Sequence, residues 1–149
     1  MALDPQTLSG LPAADFVALV KGTSDDQIRE DLAGPNRGEI LDKVFARFPD
    51  QFRPDKAGDR SARIDFRVTG GPGDSFDTYA VVVDQGVCSV EKDPTAPSDL
   101  SLQLGPAEFL KLITGTGNPA MMFMMGKVKA KGDIGLATAL ATWFETPKG

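Results

Sequence analysis

The sequence predicts an α+β fold: a mostly antiparallel sheet covered on one face by helices. Three observations predict it. Apolar residues recur at helical spacing through residues 12–48. From residue 61 the spacing changes to strict alternation, the mark of strands with one buried face. Two further helical patterns then flank a short lysine-rich alternating stretch, so helices and sheet belong to one layered unit.

The elements follow in order. Pro12 suits a first helical turn, and Phe16, Val17, Leu19 and Val20 follow at helical spacing until Gly22. Ser24 with Gln27 forms a capping-box pattern, and Asp25 and Asp26 complement the positive end of the next helix. Ile28 and Leu32 give that helix a thin apolar stripe before Gly34-Pro35 ends it. Asn36 with Glu39 reads as another cap, opening a helix with a wide apolar face of Ile40, Leu41, Val44, Phe45 and Phe48, closed by Pro49. Residues 49–60 read as a loop.

In SARIDFRVT, Ala62, Ile64, Phe66 and Val68 alternate with Arg63, Asp65, Arg67 and Thr69. GGPGD turns the chain into a second strand, FDTYAVVVD, and Gln85-Gly86 makes a tight hairpin into VCSVE. Leu100, Leu102 and Leu104 mark a fourth strand. Pro106 opens a helix carrying Phe109, Leu110, Leu112 and Ile113, which Gly115 stops. A methionine-rich segment leads into the strand KVKAK. Gly132-Asp133 caps a final helix on which Leu136, Ala137, Leu140, Trp143 and Phe144 share a face.

Composition narrows the function. A chain of 149 residues suits one domain with room for a real core. A net charge of −5 argues against nucleic acid, which needs a concentrated basic face. The chain has no histidine and a single cysteine, Cys88. That removes the commonest general base and metal ligand, so neither a metal site nor a cofactor is expected. Cys88 reads as a buried, inert thiol in a reducing compartment, Tyr79 as a sheet residue and Trp143 as a core residue. TGGPGD and GTGN lack the strand-to-helix setting of a phosphate loop. MALDPQTLSG has no basic start or apolar run and TPKG no organelle address, which together lead us to expect a cytoplasmic protein.

One segment stands apart. Apart from Met1, every methionine lies in MMFMM, residues 121–125. Ordering four methionines costs roughly 4 kcal/mol more side-chain entropy than ordering four leucines. A compliant wall around ligands of varied shape gains from that choice; the plainer reading is a core helix whose methionines fill gaps. Lys127, Lys129 and Lys131 follow on one strand face, read as a solvated edge or as a contact for anionic headgroups.

LSLQLGPAEFLKLITG, followed by MMFMMGKVKAKGDIGLATAL, resembles the sterol carrier protein 2 family of lipid-transfer domains. The likeness rests on Gly126-Lys127, the alternating Val128 and Ala130, and Gly132-Asp133, with the strands from Ser61 to Glu91 in matching order; it spans roughly residues 40–145. The resemblance implies a five-stranded sheet, helices on one side and an apolar tunnel between. It makes residues 36–149 the core of a single lipid-binding domain and residues 1–35 a helical N-terminal extension. It implies that Phe109, Leu112, Ile113, Met121, Met122, Phe123, Met124, Met125, Leu136, Leu140 and Phe144 face the tunnel, with Phe66, Val68, Leu102 and Leu104 on the sheet side. Arg67 or Lys127 would meet a headgroup.

The function so implied is non-catalytic binding, and intracellular transfer, of a fatty acyl chain, acyl-CoA, sterol or phospholipid, by a monomer or weak dimer with transient membrane contact. Burying about twelve methylenes offers roughly 10 kcal/mol before entropy costs, enough without a charged anchor. The rival is a structural or dimerisation module whose MMFMM segment covers a protein partner.

Overall fold

The structure, a computed structural model, describes residues 5–8, 10–71, 73, 75–114, 122, 124–126, 128–133, 135, 136, 139 and 143. Six helices come first: α1 (Pro5–Leu8), α2 (Ala13–Lys21), α3 (Asp25–Leu32), α4 (Arg37–Phe45), α5 (Phe48–Gln51) and α6 (Pro54–Ala57). Strands β1 (Ala62–Val68), β2 (Asp77–Asp84), β3 (Val87–Lys92) and β4 (Leu100–Leu104) follow, then α7 (Pro106–Thr114) and β5 (Val128–Gly132).

Local chemistry sets most of these boundaries. Ser24 caps α3, its hydroxyl accepting from the Gln27 amide at 3.2 Å. The Gln27 side chain donates forward to Asp31 (2.8 Å). Asn36 occupies the N-cap of α4 but makes no side-chain capping bond there, unlike the expected cap. The loop expected over 49–60 instead contains two single helical turns, α5 and α6. Pro49 and Pro54 each sit in the first turn, where no intrahelical donor is lost and φ is already helical. Proline therefore starts these turns, and Pro49 does not close α4, which has already ended at Phe45.

The sheet order is β3-β2-β1-β4-β5. The β1–β2, β2–β3 and β4–β5 pairs are antiparallel, whereas β4 runs parallel to β1, with Phe66 beside Leu102 and Val68 beside Leu104. The sheet is thus mixed. Gln85 (φ 47°) and Gly86 (φ 79°) both take left-handed conformations, the turn a two-residue hairpin requires. At the end of β5, Gly132 (φ 106°) lies so close to Asp99 that a Cβ there would collide with its carbonyl.

Registered neighbours share a face. Ala62, Ile64, Phe66 and Val68 of β1 are buried with Tyr79, Val81 and Val83 of β2 and Leu100, Leu102 and Leu104 of β4, all toward the helices. Arg63, Asp65, Arg67, Ser101, Gln103, Lys129 and Lys131 lie on the opposite, outer face. The helices before β1 join the same apolar cluster: Leu8, Phe16, Val20, Ile28 and Leu32 are buried with Ile40, Leu41, Val44 and Phe45. α2 and α3 pack on α7, and α1 on α4. Arg47 fastens this layer, donating to the Leu8 and Leu11 carbonyls (3.1 and 2.8 Å) with its guanidinium 4.5 Å over the Phe16 ring. Lys111 of α7 adds an ion pair to Asp25 at 2.8 Å.

Candidate functional site

The region marked by the sequence lies between the helix-side face of β1 and β4 and helix α7, where their side chains share one buried cluster. β1 and β4 set four expected lining residues as a two-by-two patch: Phe66 beside Leu102, Val68 beside Leu104. All four are buried. β5 extends the patch through Val128, opposite Leu104, and Ala130, opposite Leu102.

Above it α7 turns Phe109 inward, fully buried, and holds Leu112 and Ile113 half-buried against the cluster. Met122 and Leu136 are buried in that cluster too. Trp143 joins them; its carbonyl accepts from the Arg53 amide at 2.6 Å, and the Arg60 guanidinium lies 5.1 Å over its ring. The expected residues Met121, Phe123, Leu140, Phe144 and Lys127 lie outside the described residues, as does most of the expected final helix.

The methionine segment is divided. Met122 is 6% exposed, whereas Met124 is 88% and Met125 62% exposed. These two stand at the surface and not in the interior where the resemblance places them. A turn that is apolar on every side can offer only one side to a core, and Gly126 (φ 71°) then redirects the chain toward β5. Arg67, the other expected headgroup contact, lies on the outer face of the sheet, its guanidinium 4.5 Å over the exposed Phe76 ring.

The interior is floored by aromatic rings. Phe45 stacks on Tyr79 with centroids 4.1 Å apart and on Phe109 at 4.9 Å, and lies 5.9 Å from Phe66. Phe48 meets Phe66 edge-on at 5.5 Å. Polar groups enter only at the margins. Tyr79 donates to Asp42 Oδ1 at 2.5 Å, and Lys92 Nζ lies 3.4 Å from the same oxygen. Burial, and then the Asp42 carboxylate, hold the phenol far above its ordinary range. At the other margin Arg37, 5% exposed, donates to Asp77 Oδ2 (2.7 Å) and to the carbonyls of Val68 (2.6 Å), Leu32 (2.9 Å) and Thr69 (3.2 Å).

Sequence reading missed this arginine. Its one signal was a cation in the first turn of a helix, where the dipole disfavours it.

These groups offer little chemistry. The Tyr79 proton is held, and Arg37 is committed to the backbone. Cys88 is pushed up to about 12 by burial, so its thiol stays protonated near neutrality. We expect alkylation of Cys88 at pH 7 to run about a thousandfold slower than for an exposed cysteine, as read by mass spectrometry over time. Among the described residues no group of three or more metal-ligating side chains comes together, and no helix is long and apolar enough to cross a membrane.

This architecture has solved counterparts. The stereoselective inverting sec-alkylsulfatase Pisa1 from Pseudomonas superposes with a TM-score of 0.62 at 17% identity, over 75% of this chain and 17% of that one. The palmitated SCP2L2 of Aedes aegypti superposes with a TM-score of 0.53 at 20% identity, over 68% of this chain and 86% of that one. At that identity the likeness establishes the fold: an α+β, helix-covered mixed sheet of the sterol-carrier type. The model of the SCP-2 sterol transfer family matches residues 41–145, and the chain belongs to that family. It is 37% identical to human sterol carrier protein 2 over 75 residues, which is 50% of this chain and 14% of that protein. The helices α1 to α3 precede the matched region.

Proposed function

We propose that this protein binds a long-chain lipid, a fatty acyl chain or a molecule carrying one, in the space between the β1–β4 face and α7, without catalysis. The observation that carries this reading is the lining: Phe66, Val68, Leu102, Leu104, Phe109 and Met122 are all buried on the helix side of the sheet, and none brings a charge. Family membership supports it, as does the palmitate on the mosquito neighbour, because the same fold there accompanies an acyl chain. Each buried methylene contributes ~0.8 kcal/mol, so chain length governs affinity more than headgroup. Met122 and the half-buried Leu112 and Ile113 supply the adjustable side of the wall. Transfer between membranes follows from such binding when release is triggered at a surface.

Native mass spectrometry of freshly purified protein tests this reading, together with displacement of a fluorescent fatty acid by palmitate. We expect a co-purifying mass of acyl-lipid size and competitive displacement. A bare chain that also ignores the probe sinks the proposal.

A further inference from the structure

The proposed lining is shut. Phe66, Val68, Leu102, Leu104 and Phe109 are each at most 2% exposed. An acyl chain reaches them only when some element moves aside. β1 and β4 are each held between two other strands. α4 is pinned by Phe45 among the rings of Phe48, Phe66, Tyr79 and Phe109. α7 is held less firmly from below. It follows β4 through Gly105, which has no side chain to pack. It enters the ring cluster through Phe109, while Leu112 and Ile113 stay half-buried. α7 is therefore the roof that can lift.

What packs on α7 is the segment that precedes the family match, α2 and α3. Both ends of this pair are fastened to the body of the protein. At the α2 end, Arg47, between α4 and α5, donates to the Leu8 and Leu11 carbonyls. At the α3 end, Arg37 donates to the Leu32 carbonyl at 2.9 Å and to the Val68 carbonyl of β1 at 2.6 Å. Between these anchors α3 grips α7 by charge: Asp25 meets Lys111 at 2.8 Å, and Arg29 meets Glu108 at 3.7 Å. The pairs are reciprocal, α3 giving the acid in one and the base in the other. On each helix the two residues stand one turn apart, so both pairs fall on one seam. Arg29 also reaches Asp26 at 3.3 Å. The four side chains of the seam are 15% to 49% exposed. Ion pairs so placed hold weakly and yield to salt. Such a contact suits a catch that must open.

We propose that α2 and α3 form a strap across α7, and that the Asp25–Lys111 and Arg29–Glu108 pairs are the catch that sets how often α7 lifts to admit an acyl chain. The proposal rests on the carriage reading and adds a control to it. The catch is closed both before cargo enters and after. Weakening it therefore quickens uptake and release together and leaves affinity nearly unchanged. Pairs with a purely structural role change stability and leave both rates alone.

The test tethers the strap to the roof. Asp25→Cys with Lys111→Cys, in a Cys88→Ala background of the full chain, sets two thiols across the seam. A short bismaleimide with a reductant-cleavable centre joins them. Stopped-flow uptake of a fluorescent fatty acid is then read on one sample, joined and after cleavage. We expect the joined protein to take up the probe at least about tenfold more slowly than the cleaved one. Glu108→Gln with Lys111→Gln should speed uptake and release by about threefold each. Raising salt should quicken the parent chain and not this double variant. Equal rates before and after cleavage, or a double variant that loses affinity with its uptake rate unchanged, overturn the strap and leave carriage standing. No uptake by any form, the parent chain included, overturns carriage and the strap with it.

Discussion

Replacing Arg37 with methionine should lower unfolding stability by roughly 2–4 kcal/mol, the cost of leaving buried carbonyls without their donor and of removing the cation from a part-buried ion pair. The guanidinium is the sole cation among the buried side chains described, and four of its contacts are within 3.2 Å. It joins the C-terminal end of α3, the end of β1 and the start of β2. Methionine fills a similar volume but leaves the Val68 and Leu32 carbonyls without that donor and the Asp77 carboxylate without its counter-charge. Arg37→Lys keeps the charge but cannot reach three acceptors in a fixed plane, so an intermediate loss follows. Urea denaturation followed by circular dichroism reads both; a methionine variant within about 0.5 kcal/mol of the parent would refute the clamp.

Phe45→Ala should cost a similar amount, roughly 3–5 kcal/mol. Phe45 is fully buried and touches Phe48, Phe66, Tyr79 and Phe109, with ring centroids between 4.1 and 5.9 Å. Four rings around one centre cannot all move inward, so the cavity persists and its cost stays near the upper end. Phe45→Leu, which retains most of the volume, should lose markedly less. The two variants also bear on lipid binding, because Phe66 and Phe109 belong to the proposed lining. Enlarging the space beneath them should shift the displacement assay toward longer or bulkier acyl chains even as stability falls. Unchanged selectivity alongside the full stability loss would place the ligand elsewhere.

Much of the fold could be read from residue order because local signals and tertiary burial agree. The alternation in β1 survives as alternate burial from Ala62 to Val68, and the hairpin follows from a residue pair that tolerates positive φ. The inward residues of β4 and α7 were found by the same periodicities.

Four features escaped for distinct reasons. Proline is permitted both after a helix and in its first turn, so Pro49 and Pro54 are ambiguous in one dimension. The parallel β1–β4 pairing joins residues 36 apart, and no local pattern specifies it. MMFMM has no polar side to mark its orientation, so the burial of Met122 and exposure of Met124 and Met125 depend on the neighbours it meets. Arg37 was overlooked because an arginine in a helical segment ordinarily means solvent; only its bonds to distant carbonyls reveal otherwise.

The placement of β4 beside β1 has a consequence for how the chain assembles. The β1–β2–β3 meander closes through short connections and can form early. β4 must return across two strands, and β5 can pair only once β4 is seated. Non-local pairing of this kind is slow to form. The half of the molecule nearest the methionine segment is therefore the late-arriving half, and it should also be the first to open. Amide exchange should be faster in β5 than in β2, so that the order in which the strands are held decides which edge of the sheet loosens first.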